Sequence, residues 1–329
     1  MLTFLVGIVI AIVYMKDLFA VVMLTGIYGL LTASFFVAMD AVDVAFTEAS
    51  VGAGISTLLL LVAIAKTKRS EHPVRHKPLL AILMVTITGG LLIYGTFDMP
   101  YFGSVNAPAQ SHVSPRYIDD SFDEIGIPNI VTSVLASYRG FDTFGEVVVI
   151  FTAGIGILAL LSVPGGSNSS KRKIDAINKS LHEKHLILRI VAKILIPFIL
   201  LFALYVQFHG EYGPGGGFQA GVIFAAAIIL YAMLFGLDTA QRVINQSVVQ
   251  LIAALGVLIY GAIGMVSFLN GGSFLDYSVL LDNPIAGQHL GIILIELGVG
   301  LTVTSVMIII FFSFASHNED KQSNDVIGE

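Results

Sequence analysis

Neither cysteine nor tryptophan occurs among the 329 residues. Without cysteine there is no disulfide framework, no thiolate metal site and no thiol redox motif. Without tryptophan one usual anchor at a membrane–water interface is missing, so tyrosine and phenylalanine must serve. Charge is scarce as well. Only 12% of residues are Asp, Glu, Lys or Arg, against about 25% in an ordinary soluble domain, too few to cover a water-facing surface. The constellations of a soluble enzyme are also missing: no nucleophile–base set, no metal-ligand spacing, no cofactor fingerprint. The chain is therefore expected not to be an enzyme, and to use no catalytic residue, metal, cofactor or nucleic-acid partner.

What is present is hydrocarbon. The chain is 56% apolar with a mean hydropathy of +0.87. Apolar runs of about 20 residues read as membrane-spanning helices. Nine occur, at 1–15, 18–39, 42–65, 77–95, 143–162, 187–208, 218–236, 247–269 and 288–314. The first is short, but no basic residue precedes it and Tyr14–Met15–Lys16 is unlike a signal cleavage site, so it is read as a span. The expected fold class is all-α, a polytopic membrane helical bundle of about nine transmembrane helices plus one short interfacial helix.

Threading nine spans puts Lys16, the basic stretches 66–77 and 171–193, Arg242 and Lys321 on one side. Of the 17 Lys and Arg residues only Arg116 and Arg139 fall on the other. The positive-inside rule makes the lysine-rich side cytoplasmic. The expectation is a multi-pass protein of the cell membrane, N-terminus outside and C-terminus in the cytoplasm, with lipid as a constant partner. Organisation follows from the breaks. Residues 1–70 read as a three-helix module. Residues 71–165 form a two-helix module holding an outer loop (96–126) and a short amphipathic helix (128–139). Residues 166–185 are a cytoplasmic basic linker, 186–315 a four-helix domain and 316–329 a disordered cytoplasmic tail.

A charge at bilayer depth costs about 3 kcal/mol even on lenient insertion scales, so each acid inside a span needs a reason. Asp40, Asp43 and Glu48 open the third span within one arc of about 140°. The aspartates could cap the helix; Glu48 lies too deep for that and points to a proton or cation relay, or to a contact with another subunit. In "SYRGFDTFGEVVV" (137–149), Thr143 and Glu146 fit a capping box, while Asp142 and Glu146 could equally form a carboxylate pair with Arg139 neutralising either. In the last span His289 and Glu296 are seven residues apart and share a face. Lys193, with Arg189 and His185 before it, forms a basic stripe that snorkelling explains.

Between the sixth and seventh spans lies "HGEYGPGGGFQAG" (209–221). His209 and Glu211 sit at a helix end near water, as gate or pathway candidates. Pro214, Gly215, Gly216 and Gly217 make a tight re-entry, and Gly217 with Gly221 forms a small-xxx-small pair that lets helix backbones approach. No Walker lysine or preceding strand accompanies the glycines, so no nucleotide site is expected there.

The 209–221 stretch with the apolar helix after it resembles the signature of the B subunit of Mrp-type cation/proton antiporters, over about residues 185–314. "DAVDVAFTEASVGAGIST" (40–57) and "RGFDTFGEVVV" (139–149) resemble the C-terminal extension of the antiporter's large A subunit. The same modules occur as small membrane subunits of membrane-bound hydrogenases and related sulfur-reducing complexes. Where Glu48 stands the A-subunit pattern has glutamine, and where Gly52 stands it has glutamate; Asp43 and Glu146 match. The resemblance implies an accessory subunit of a multi-subunit cation/proton antiporter, moving Na+ and H+, with the other subunits as partners. Its ion-pathway candidates are Asp43, Glu48, Asp142, Glu146, Glu296, His209 and Glu211. The alternative is a membrane-arm scaffold in a redox-driven complex such as a membrane-bound hydrogenase.

Overall fold

The computed structural model describes residues 1–65, 67–71, 78–101, 103–161 and 186–325. The basic linker expected at 166–185 lies outside them. Among the described residues every regular element is helical: α1 (Leu2–Tyr14), α2 (Leu18–Ala38), α3 (Val42–Ile64), α4 (Pro78–Thr96), α5 (109–125), α6 (130–138), α7 (Gly140–Leu161), α8 (Leu186–His209), α9 (Gly217–Phe235), α10 (Leu237–Val243), α11 (Gln246–Leu269) and α12 (Pro284–Asp325). Eight of them are long and apolar enough to cross a membrane. In hydrocarbon every backbone polar group must be satisfied within the segment, and helices do that. The ninth candidate, α1, has 13 residues, about 20 Å at 1.5 Å per residue. That falls short of the roughly 30 Å of a bilayer core.

The hub is α12. It packs against α11, α9 and α7, and 61% of its spanning window is buried, against none for α4. Its inward face carries Ile292, Ile295, Val299, Val303, Val306 and Phe312. Close approach is made possible by glycine. A Cβ on Gly217 would collide with the Glu296 carbonyl, and one on Gly221 would stand 2.9 Å from the Gly300 carbonyl and from Val303. Lipid tails are as apolar as leucine, so helix contact in a membrane rests on such packing rather than on hydrophobic transfer. Thr304 adds a hydroxyl bond of 3.1 Å to the Gly221 carbonyl. In the N-terminal unit Gly29 plays the same part: a Cβ there would lie 2.7 Å from the Gly52 backbone of α3. Asp17 caps α2 through Phe19 N and binds Arg69 at 2.8 Å. That bond to Arg69 lowers the Asp17 pKa.

Four expectations need correction. The outer loop at 96–126 contains α5, because nothing between Pro108 and Gly126 breaks a helix except Pro115, which stands in its first half. The chain from 316 onward, expected to be disordered, is helical as far as Asp325; no glycine or proline follows Gly300 before that point, so nothing terminates α12. Asp40 is not a helix cap. It takes a left-handed φ of 62° in the α2–α3 turn, and Ala41 precedes α3 with no side-chain cap. The capping box at Thr143 and Glu146 does not form, since α7 already begins at Gly140 and Thr143 instead donates to the Leu135 carbonyl.

The short helix α6 buries its small face, Thr132, Ser133 and Ala136, and turns Ile130 and Leu135 outward. It is clamped to α5. Arg116 binds Glu124 at 3.1 Å and lies over the Tyr138 ring, Tyr138 donates a short hydrogen bond to Glu124, and the Tyr117 and Tyr138 rings are 5.0 Å apart. The Tyr138 hydroxyl, then Arg116, hold Glu124 below the ordinary carboxylate range, while burial and the Glu124 carboxylate push Tyr138 up to about 12.

Two outcomes follow. Gly221→Leu overpacks the α9–α12 seam at a cost of about 1–3 kcal/mol and lowers the unfolding temperature of the purified protein; Gly89→Leu, where a side chain meets open space, does not. Because the Glu124 pKa is depressed on folding, the clamp's contribution is complete above the ordinary value of 4.5 and is lost as pH falls through the folded value. Hydrogen exchange over 109–125, corrected for intrinsic rate, should accelerate as pH is lowered from the ordinary value of 4.5 through the depressed folded value. Glu124→Gln should show that acceleration already at pH 7.

Candidate ion-pathway site

The glycine knot between α8 and α9 is tied down on every side. Asn129, which also caps α6 at Val131 N, donates from its amide to the carbonyls of Gly210 (3.0 Å) and Gly213 (3.1 Å). Thr132 donates to Gly210 O at 2.6 Å, and the Asn129 backbone N–H to Glu211 O at 3.0 Å. Gly216 N donates to the Val206 carbonyl at 3.0 Å, and Gly216 itself has φ 112°, a conformation open to glycine and few other residues.

What the knot wraps is Glu296. A Cβ on Gly210 or on Gly216 would stand 3.1 Å from its carboxylate oxygens. The glycines are therefore bare because an acid side chain fills the space in front of them. Gly215 N faces the other way and donates to Asp43 Oδ1 at 3.3 Å. Asp43 sits in the first turn of α3, where the unsatisfied N–H groups of a helix start favour negative charge. One turn on, Thr47 accepts a 2.8 Å bond from the Gln219 amide of α9.

These groups enclose a cavity of about 510 Å³ between α3, α6, α7, α9 and α12. Asp43, Glu146 and Glu296 all line it, with Thr47, Thr132, Thr143, Gln219 and Gly215 to Gly217. That volume is many times what a single water needs, so a partly hydrated cation fits. Among the described residues no lysine, arginine or histidine lines it. Its flank is rimmed by Val44, Leu135 and Val149, all exposed on the outside of the chain. Among the described residues no three acidic or histidine side chains converge closely enough to hold a resident metal. The cavity thus offers separated carboxylates with hydroxyl and amide oxygens between them, a donor set suited to a hard cation.

The other candidates lie elsewhere. Asp142 is bound by Arg139, with Nε at 2.7 Å, and remains exposed. His209 stacks on Tyr205 with ring centroids 4.8 Å apart and faces a separate shallow groove. Glu211 meets His289 on α12. Pro214 borders a groove between α2 and α3, and Gly221 lies one turn below the cavity on α9. Glu48 is half-buried on α3 but lines none of these spaces. Its carboxylate lies over Gly52, where a Cβ would collide with it, at the start of a π-helical stretch, Ala49–Ile55. Stretches of this kind recur at functional sites in helices.

Residue reasoning missed Asn129, Thr132, Thr47 and Gln219. Asn129 could have been found as the asparagine before a helical run, and Gln219 as the lone amide of an apolar span. Nothing in the sequence pointed to Thr132 or Thr47, whose hydroxyls bond a backbone carbonyl 78 residues away and the Gln219 amide.

Comparison with known proteins covers the chain in three pieces. The family described as a domain related to the MnhB subunit of Na+/H+ antiporter matches residues 187–309. Two families of MBH subunits match the remainder, MbhD over 3–69 and MbhE over 82–170. A Staphylococcus aureus (strain Newman) protein named antiporter subunit mnhB2 is 30% identical over 138 residues, which make up 41% of this chain and 97% of that protein. The chain belongs to the MnhB family of antiporter subunits. A longer match is to a Rhizobium meliloti (strain 1021) protein named as the A/B subunit of a K(+)/H(+) antiporter. It is 25% identical over 90% of this chain, which spans only 32% of that relative. A chain of the Mrp complex from Dietzia sp. DQ12-45-1b superposes with a TM-score of 0.73 at 25% identity, covering 95% of this chain and 34% of that one. A chain of the archaeal membrane-bound sulfane sulfur reductase superposes with a TM-score of 0.53 at 28% identity, over 73% of this chain and 98% of its own length. The knot and Glu296 fall in the MnhB-like piece, Asp43 in the MbhD-like piece and Glu146 in the MbhE-like piece, so all three contribute an acid to one cavity.

With no native cysteine in this MnhB-family chain, a single introduced thiol reports accessibility directly. Glu146→Cys should react with a small hydrophilic thiol reagent, whereas Val249→Cys, at 2% exposure and away from the cavity, should not. Absence of reaction at Glu146→Cys would mean that the space there holds no water.

Proposed function

We propose that the chain is an accessory membrane subunit of a multi-subunit cation/proton antiporter, that Na+ is its cation, and that the cavity shared by Asp43, Glu146 and Glu296 is a station on the cation's way across the membrane. The observation carrying this reading is three carboxylates from three helices facing one cavity that, among the described residues, no basic side chain lines. Ionised together in a medium of low dielectric constant they repel, so a cation, a proton or both must accompany them. Occupancy by one ion then depends on release of the other, which is the coupling an antiporter needs.

The basic residues favour a C-terminus on the cytoplasmic side of the cell membrane; the N-terminus expected outside needs a ninth crossing, and α1, with 13 residues, is too short to make it. Two features support assembly with other subunits. The chain corresponds to about a third of its longer relative, and α4 buries none of its spanning window. Glu48 belongs with the scaffolding surfaces or with a second ion contact, since it lies away from the cavity. A redox-driven membrane complex is the second reading, favoured by the two MBH-type pieces and by the sulfur-reductase likeness. Iron–sulfur absorbance in the purified native assembly would select it.

In vesicles holding the whole complex, Glu146→Gln and Glu296→Gln should each slow Na+-driven proton movement at least tenfold while the complex still assembles on native gels. Exchange at the unaltered rate in both variants would remove the cavity from the pathway.

A further inference from the structure

One polar pair inside the fold takes no part in the cavity. His289 Nδ1 stands 3.3 Å from both oxygens of Glu211. The imidazole is about one-third exposed and Glu211 only 12% exposed, so the pair grades from the outside inward. Beside the ring runs the backbone of Gly126, held at φ 82° where an L side chain would be strained; a Cβ there would stand 3.3 Å from Nε2 and would collide with Ile285. Glu211 is the residue after Gly210, whose Cα faces the Glu296 carboxylate, and Glu211 and Glu296 act on each other electrostatically. Along α12 itself, His289 and Glu296 are about 10 Å apart at 1.5 Å per residue. That is too far for direct proton transfer, and the turn that carries Glu211 also brings Gly210 against the Glu296 carboxylate.

We infer that His289 and Glu211 form the proton relay joining the outer aqueous phase to Glu296, separate from the opening used by the cation. The inference rests on the antiport reading above. An outer proton binds Nε2, the Nδ1 proton passes to a Glu211 oxygen, and Glu211 delivers it to Glu296. The ring, left neutral in its other tautomer, returns by exchange with outer water. No proton is created or lost, and each transfer moves one proton between two heteroatoms.

A hydrated cation cannot take this route. Between Glu211 and Glu296 lies the knot, pinned by Asn129, Thr132 and Val206, with no more than side-chain contact distance in front of Gly210 and Gly216. A proton needs no such width. The charges around the ring are Glu211 from the α8–α9 turn and Glu296 on α12. The outer helices that pack on α12 bring Arg116 and Glu124, which bind each other, while Ser137 and Gln288 form a neutral bond at 2.8 Å. Among the described residues His289 is the basic group that pairs with Glu211, and no lysine or arginine ion pair competes for it.

The test uses the whole complex in vesicles. His289→Ala should slow Na+/H+ exchange at least tenfold, and added imidazole should restore it several-fold. Exchange of labelled Na+ for unlabelled Na+, which needs no proton, should stay at the unaltered rate. Glu211→Gln should be slow as well and insensitive to imidazole. If His289→Ala exchanges normally while Glu296→Gln is inactive, the relay is wrong and the cavity reading stands. If His289→Ala loses Na+/Na+ exchange in parallel and imidazole restores nothing, the residue only holds the fold and the relay is wrong. If neither Glu146→Gln nor Glu296→Gln affects exchange, the antiport reading fails first.

Discussion

The backbone contact between α9 and α12 is the constraint on which the rest of the molecule depends. A membrane offers helices no reward for hiding leucine, so they must meet where side chains are small. Gly217 and Gly221 remove the side chains from one partner, and Gly300 does so on the other. With the helices that close, Glu296 has nowhere to extend except against the turn above, and the turn must be glycine to receive it. Seam, knot and acid are one arrangement. The tethers from Asn129 and Thr132 then carry it to α6, and through α6 to the mouth of the cavity.

Much of this architecture was legible in the residues. Spans two to nine are found within a few positions of where hydropathy puts them, because a bilayer imposes one length and one composition on anything that crosses it. The acids were legible for the same reason: an ionisable group in hydrocarbon stands out. Which of them meet was not. Asp43 and Glu296 lie 253 positions apart, and their shared cavity depends on how α3 docks against α9, which no local pattern records. Helix periodicity placed Asp142 beside Glu146, yet Arg139 takes the first and leaves the second to the cavity. The helical continuation beyond 316 was hidden because a polar composition says nothing about whether an existing helix has a reason to stop.

The function of the polar knot also differs from what its composition suggests. Six glycines in a 13-residue stretch look like a hinge. In the folded chain the carbonyls of Gly210, Glu211 and Gly213 are hydrogen-bonded to α6 and its preceding asparagine, and the bare Cα positions are occupied by a neighbour's carboxylate. Glycine is used here for space and for one left-handed φ, and the segment is a rigid collar.

The carboxylate of Glu48 resting over Gly52 has a consequence for how such chains can diverge. A side chain at Gly52 would meet only the outer end of Glu48, the tip of a flexible chain that can swing aside. An acid at 52 therefore demands that the residue at 48 bend away from that turn and carry no second negative charge four positions earlier. Glutamine at 48 beside glutamate at 52 satisfies both demands, whereas two carboxylates one turn apart in hydrocarbon would repel.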